Sequence, residues 1–148
     1  MASLATAELC DANPALIAKG ELRVLQPVFQ MFGHHSQSVR GQLTRGRGVL
    51  VIDGGGACGR PRRRQPGQLA QNMGWAGILV NGCIRDVDEI NGCDVGVRAL
   101  GSHPLKSNKK GLGEKHVSVN VGGAVIQDGE WLYADSDGIL ISKTEISI

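Results

Sequence analysis

The apolar run Gly77-Ile78-Leu79-Val80-Asn81, continued by Gly82-Cys83-Ile84-Arg85-Asp86-Val87-Asp88-Glu89-Ile90, restricts the fold more than any other stretch. A short apolar run closed by a turn signal predicts an interior strand of a parallel or mixed sheet. Gly82 then permits a sharp backbone turn. Val87 and Ile90 fall at helical spacing with acids in the first turn, so Asp86 reads as a helix cap. This order predicts an α/β fold with Arg85 and Asp86 at a strand's carboxyl end, where open α/β sheets keep their ligand crevice.

The chemistry of that pair follows from its side chains. A guanidinium grips a carboxylate through two parallel hydrogen bonds, and a carboxylate on the next residue can hold a hard divalent ion directly or through water. Together they suit a 2-oxo acid, with the arginine on its carboxylate and the ion on its keto oxygen. The plainer alternative is an exposed ion-pair cluster at a helix start, which is the commoner use of such residues.

A chain of 148 residues is long enough for one domain with its own core, and residues 1–148 are read as a single domain. Twenty-two glycines against five aromatic residues point to a turn-rich fold containing β-strands. Cys10, Cys58, Cys83 and Cys93 show no zinc-ligand spacing and read as reduced thiols. With no signal-peptide pattern at the start and no membrane-length apolar stretch, a cytoplasmic protein without a membrane partner is expected.

Charge is uneven. Between Arg40 and Arg64 stand seven arginines and one acid, Asp53, whereas the rest of the chain carries nine basic and thirteen acidic residues. Such a cluster can mark a nucleic-acid footprint, but no aromatic residues interleave it for base stacking, which argues against that partner.

Thr6–Ala12 and Ala15–Lys19 read as helices separated by Asn13-Pro14 and ended by Gly20. Residues 22–32 read as a buried connection, Val49–Ile52 as a core strand and Leu69–Met73 as a short helix. Asp53-Gly54-Gly55-Gly56 forms a loop whose backbone can approach a ligand closely. Val95–Leu100 and Val117–Val121 read as strands, and Asp128-Gly129 predicts a hairpin between Ala124–Ile126 and Trp131–Tyr133. Asp135-Ser136-Asp137-Gly138 reads as a tight turn into Ile139–Ile141 rather than a calcium loop, because the distal glutamate is absent. His34, His35, His103 and His116 are too scattered for a metal site and read as loop residues. Lys109, Lys110 and Lys115 read as solvating a long loop.

Several of these segments carry a resemblance. Residues 72–77 (Asn-Met-Gly-Trp-Ala-Gly) and 81–89, with Glu130-Trp131-Leu132-Tyr133-Ala134-Asp135 and Asp137-Gly138, closely resemble the plant 4-hydroxy-4-methyl-2-oxoglutarate aldolase family. Its sister proteins are the regulators of ribonuclease E activity. Residues 6–13, Leu25–Phe29 and Asp53–Gly56 match as well, so the resemblance covers 1–32 and 68–148 with the glycine loop as an island. It implies a β/β/α swivelling-type fold assembled as a homotrimer. It also implies cleavage of 4-hydroxy-4-methyl-2-oxoglutarate and 4-carboxy-4-hydroxy-2-oxoadipate to pyruvate and a second 2-oxo acid, with oxaloacetate decarboxylation as a side activity. The cofactor implied is a divalent cation, Mg2+ or Mn2+. Carried over residue by residue, Arg85 contacts substrate and Asp86 supports the metal. Gly55 and Gly56 belong to the substrate loop, while Asp53, Asp88 and Glu89 are supporting candidates. A non-catalytic regulator of a ribonuclease, and an inactive truncated product, are the alternatives.

The departures fall between residues 33 and 67. The family carries a further strand and helix between Phe32 and the glycine loop, where this chain has the short polar stretch His34–Gly48. Where the family places Gly-Gly-Asn-Leu or Gly-Asp-Asn-Leu, this chain reads Arg60-Pro61-Arg62-Arg63-Arg64-Gln65-Pro66. Codons such as CGG-CGG-CAA-CCT-GGC for residues 63–67, read from their second base, spell Gly-Gly-Asn-Leu. The arginine cluster is therefore expected to be a displaced reading frame, and the transcript sequence tests that.

Overall fold

The computed structural model describes residues 5–33, 38–43, 48–53, 76–104 and 118–147. Helix α1 spans Thr6–Ala12 and α2 spans Pro14–Ala18, with Pro14 in the first turn, where its missing N–H leaves no bond unmade. Residues 22–32, expected as one connection, are two strands in different sheets, β1 (Leu22–Val24) and β2 (Gln30–Phe32). Strand β3 (Val39–Gln42) lies in the stretch that the sequence marks as polar. Next come β4 (Val49–Asp53), β5 (Gly77–Ile84), helix α3 (Val87–Asn91) and β6 (Gly96–Ser102). The remaining strands are β7 (Val119–Val121), β8 (Ala124–Ile126), β9 (Trp131–Ala134) and β10 (Ile139–Ser142).

Two four-stranded sheets form the body. One is antiparallel, in the order β1-β10-β9-β3. The other is mixed, in the order β2-β6-β5-β4, with β4, β5 and β6 parallel and β2 antiparallel at its edge. Alternation along β5 shows how they stack. Leu79 packs with Val49 against Leu132, Ala134, Ile139 and Ile141 of the antiparallel sheet, while Ile78 and Val80 pack on the opposite face with Val97, Ala99 and Ile90 of α3. The outer face of the antiparallel sheet buries Leu22, Tyr133 and Leu140 against Leu9 of α1 and Ile146 near the C-terminus. Helices therefore flank a pair of sheets, in keeping with the α/β class read from the sequence and the β/β/α-type fold that the resemblance implies. Burial on both faces explains why β5 reads as a continuous apolar run. Gly77 starts that strand because the sheets approach closely there, and a Cβ would sit 2.3 Å from Val39 Cγ1.

One turn expectation changes here. Asp128-Gly129 does not close a hairpin, because β8 pairs with β7 and β9 pairs with β10 and β3. The Gly129 N–H instead donates to the Leu43 carbonyl at 2.7 Å, and the Gln127 N–H donates to Glu130 Oε1 at 2.6 Å. The hairpin forms one step earlier at Gly122-Gly123, whose φ values of 57° and 83° suit the primed turns that join twisted strands. Cys83 is disulfide-bonded rather than the free thiol expected, with its partner outside the described residues. Cys10 and Cys93 are free, and burial raises both thiols, which leaves them poor nucleophiles. The expected Leu69–Met73 helix lies outside the described residues, as do His34, His35, His116 and the three loop lysines.

Candidate active site

Parallel pairing aligns the carboxyl ends of β4, β5 and β6 along one edge of the mixed sheet. Asp53 closes β4 in register with Asn81 of β5, and Ile84 closes β5 in register with Ser102 of β6. Strand β5 extends further than the sequence suggests. Gly82 is not a turn but lies where the β5 to β6 register shifts between Val80 and Cys83, an irregularity of the kind that re-aims side chains near active sites.

The turn falls at Asp86. Its φ of 59° and ψ of 49° make it the only non-glycine with positive φ among the described residues. Aspartate tolerates this left-handed conformation better than most side chains, yet such a residue persists only where its surroundings hold it. The conformation carries the chain from β5 into α3 and also separates the carboxylate from the role expected of it. Asp86 occupies the N-cap position but makes no side-chain capping bond; only its carbonyl joins the helix, accepting the Ile90 N–H at 3.0 Å. The carboxylate lies on the Arg85 side, with Oδ2 3.6 Å from Arg85 Nε. At that distance the contact is an ion pair without a hydrogen bond, and Arg85 Nε remains buried with no acceptor. Both side chains keep solvent access, at 32% for Arg85 and 41% for Asp86. A partly open guanidinium with an unsatisfied donor, beside a partly open carboxylate, can receive a carboxylate on one arm and a hard cation on the other.

The other expected residues are only partly brought together. Asp88 and Glu89 are exposed in the first turn of α3, directly after the pair. Asp53 ends the neighbouring strand, and Gly55 and Gly56 lie outside the described residues. Among the described residues no group of three or more His, Cys, Asp or Glu side chains could hold a metal. Asp86 is the described carboxylate placed to hold a cation here, and a magnesium-type ion can be held by one or two carboxylates while keeping several waters.

One residue read from the sequence as a scattered loop histidine stands at this edge. His103 follows β6, and its N–H donates to the Ile84 carbonyl at 2.8 Å, so a histidine stands beside the residue preceding Arg85. Parallel pairing joins positions 84 and 103 across a whole βαβ crossover, and no local spacing signals it.

Comparison with known proteins gives the family. The family described as RraA-like, Aldolase/RraA, matches residues 42–141. An Arabidopsis thaliana protein named "Putative 4-hydroxy-4-methyl-2-oxoglutarate aldolase 3" is 59% identical over 167 positions that cover all of both chains. Because this chain has 148 residues, at least nineteen of those positions are gaps in it. A Cupriavidus taiwanensis protein of the same name, without the number, is 44% identical across 95% of this chain and 96% of its own. Among solved structures, the RNA-processing inhibitor RraA from Thermus thermophilis has a TM-score of 0.81 at 31% identity, covering 99% of this chain and 96% of its own. A Geobacillus kaustophilus protein described as an S-adenosylmethionine: 2-dimethylmenaquinone methyltransferase has a TM-score of 0.83 at 31% identity, covering 97% of both chains. On the family match and these identities, the chain belongs to the RraA-like aldolase family.

Proposed function

We propose that the chain is a metal-dependent aldolase that cleaves 4-hydroxy-4-methyl-2-oxoglutarate, and by the same chemistry 4-carboxy-4-hydroxy-2-oxoadipate, to pyruvate and a second 2-oxo acid. The observation that carries the reading is the open Arg85–Asp86 pair at the carboxyl edge, with a buried Arg85 donor that no acceptor reaches. The names of the Arabidopsis and Cupriavidus relatives support the same reaction class.

Arg85 grips the substrate's 1-carboxylate through its planar fork, fixing the keto group beside Asp86. Asp86 would hold a divalent ion, Mg2+ or Mn2+, which when bound would supply Lewis acidity at the keto oxygen. When the C3–C4 bond breaks, the C4 hydroxyl loses its proton and becomes the carbonyl of the second 2-oxo acid, the electron pair passes to the pyruvate fragment as an enolate that then takes up a proton, and the Arg85 charge lies next to that developing enolate. Oxaloacetate decarboxylation places the electron pair on the same fragment, which accounts for that side activity. Asp53, Asp88 and Glu89 are supporting carboxylates. A homotrimer is the assembly proposed, and Val24, Met31 and Val125, exposed on β1, β2 and β8, are apolar surface that such an assembly can cover.

The likeness to the Thermus RNA-processing inhibitor supports a second reading, a ribonuclease regulator that acts by binding. Pyruvate release separates the two. The aldolase reading expects turnover of 4-hydroxy-4-methyl-2-oxoglutarate with magnesium, abolished by chelator and by Asp86→Ala. A folded, magnesium-loaded protein that releases no pyruvate overturns it in favour of the regulator.

A further inference from the structure

Arg98 is the most deeply buried charged side chain among the described residues, at 3% exposure. It lies in the middle of β6, opposite Met31 of β2 and Leu79 of β5. Its neighbours Val97 and Ala99 pack on the α3 side, so alternation sends Arg98 to the other face, between the two sheets. There its surroundings do not neutralise it. Nη2 donates to the Asp135 carbonyl at 3.4 Å, and Nη1 is buried without any acceptor. The nearby carboxylate of Asp135 is engaged elsewhere. Its Oδ2 accepts the Thr6 N–H at 2.8 Å, while its Oδ1 accepts the Thr6 hydroxyl at 2.7 Å and the Asp137 N–H at 2.9 Å.

An interior guanidinium with one weak bond is expensive to keep, because removing a charge from water costs several kcal/mol unless a counter-charge meets it. Burial lowers its pKa to about 10 against the opposing pull of Asp135, so it remains a cation at neutral pH. A carboxylate or phosphate offers two coplanar oxygens that match the fork. Access is short, since the one bonded carbonyl belongs to the half-buried Asp135 at the exposed β9–β10 turn.

We propose that Arg98 is a receptor for a small oxyanion, a carboxylate or a phosphate, that enters between the sheets at the β9–β10 turn. The site is separate from Arg85, because Arg98 lies four residues before Ser102, about 13 Å back along the strand. It does not depend on the aldolase reading, since its test reads stability and needs no turnover.

The test is the melting temperature of the full chain at constant ionic strength, with chloride replaced stepwise by acetate in one arm and by phosphate in the other. The wild type is expected to gain on the order of 5 °C, saturably, at ten times the dissociation constant in at least one arm. The responding arm identifies the source as carboxylate or phosphate. Arg98→Met is expected to lose the response and, in chloride, to melt no lower than the wild type, because an apolar chain replaces an unpaired buried charge. Arg85→Met is expected to keep the response. If Arg98→Met does not fold, Arg98→Lys retains the charge without the fork and is expected to bind at least several-fold more weakly. A lack of response in both wild-type arms, an equal response in wild type and Arg98→Met, an unchanged one in Arg98→Lys, or one lost only in Arg85→Met overturns the proposal.

Discussion

Two ion pairs of this molecule are built to opposite ends. Arg23 and Glu130 meet directly: Arg23 Nη2 donates to Glu130 Oε2 and Nη1 to the Val125 carbonyl, Glu130 Oε1 accepts the Gln127 N–H, and of the Arg23 nitrogens only Nε is buried without an acceptor. That network ties β1 to the β8–β9 connection, and Glu130 is almost fully buried. Arg85 and Asp86 stand 3.6 Å apart without a hydrogen bond between them and keep solvent access, with Arg85 Nε buried without an acceptor and a left-handed aspartate between strand and helix. The pair that holds the fold commits both terminal guanidinium nitrogens and both carboxylate oxygens to its own chain. A pair that handles a ligand leaves some of them for the ligand.

The largest effect that separates the pairs should come from Arg85→Met. Turnover is expected to fall by about a hundredfold to a thousandfold while the melting temperature holds, as for loss of a single charge-stabilising group. A parallel fall in stability would place Arg85 with the structural pair instead. Glu130→Ala should do the reverse, costing about 3 kcal/mol in a denaturant titration because it strands Arg23 in a partly buried site. A loss under 1 kcal/mol would show that this directly bonded pair holds little.

Asp135 extends the contrast to pH. Desolvation pushes its carboxyl up, but the bonds from Thr6, Asp137 and Gly138 outweigh that and hold it below the usual carboxylate range. A folded pKa below the unfolded one adds stability that is present above the unfolded value and lost as pH falls through the folded one. Wild type should therefore lose stability below about pH 4. Thr6→Val should flatten that acid limb and cost about 1 kcal/mol at neutral pH. An acid limb unchanged in Thr6→Val would remove the clamp from the account.

Much of the site could be read locally. The apolar run of β5, the acid-rich start of α3 and the adjacent Arg85 and Asp86 all lie within fifteen residues, where period and capping chemistry operate. The tight turn at Asp135–Gly138 was legible for the same reason, and there the Asp135 N–H does donate to the Gly138 carbonyl at 3.1 Å. Pairing partners were not legible. Strand β3 is held by β9, about ninety residues away, so its own polar residues gave no sign of it. His103 reached the site through a parallel ladder, and Asp128-Gly129 lost its hairpin because the flanking strands found other sheets. The left-handed Asp86 followed from the join between β5 and α3, which no residue-level propensity encodes.

Asp86→Gly, assayed for both melting temperature and magnesium-dependent pyruvate release, tests most directly whether the open pair serves chemistry rather than the fold. Glycine adopts the same φ without strain, and no capping bond is lost. The account predicts stability unchanged or raised by up to about 1 kcal/mol, together with turnover reduced to background. A destabilised protein that still releases pyruvate at the wild-type rate would contradict it.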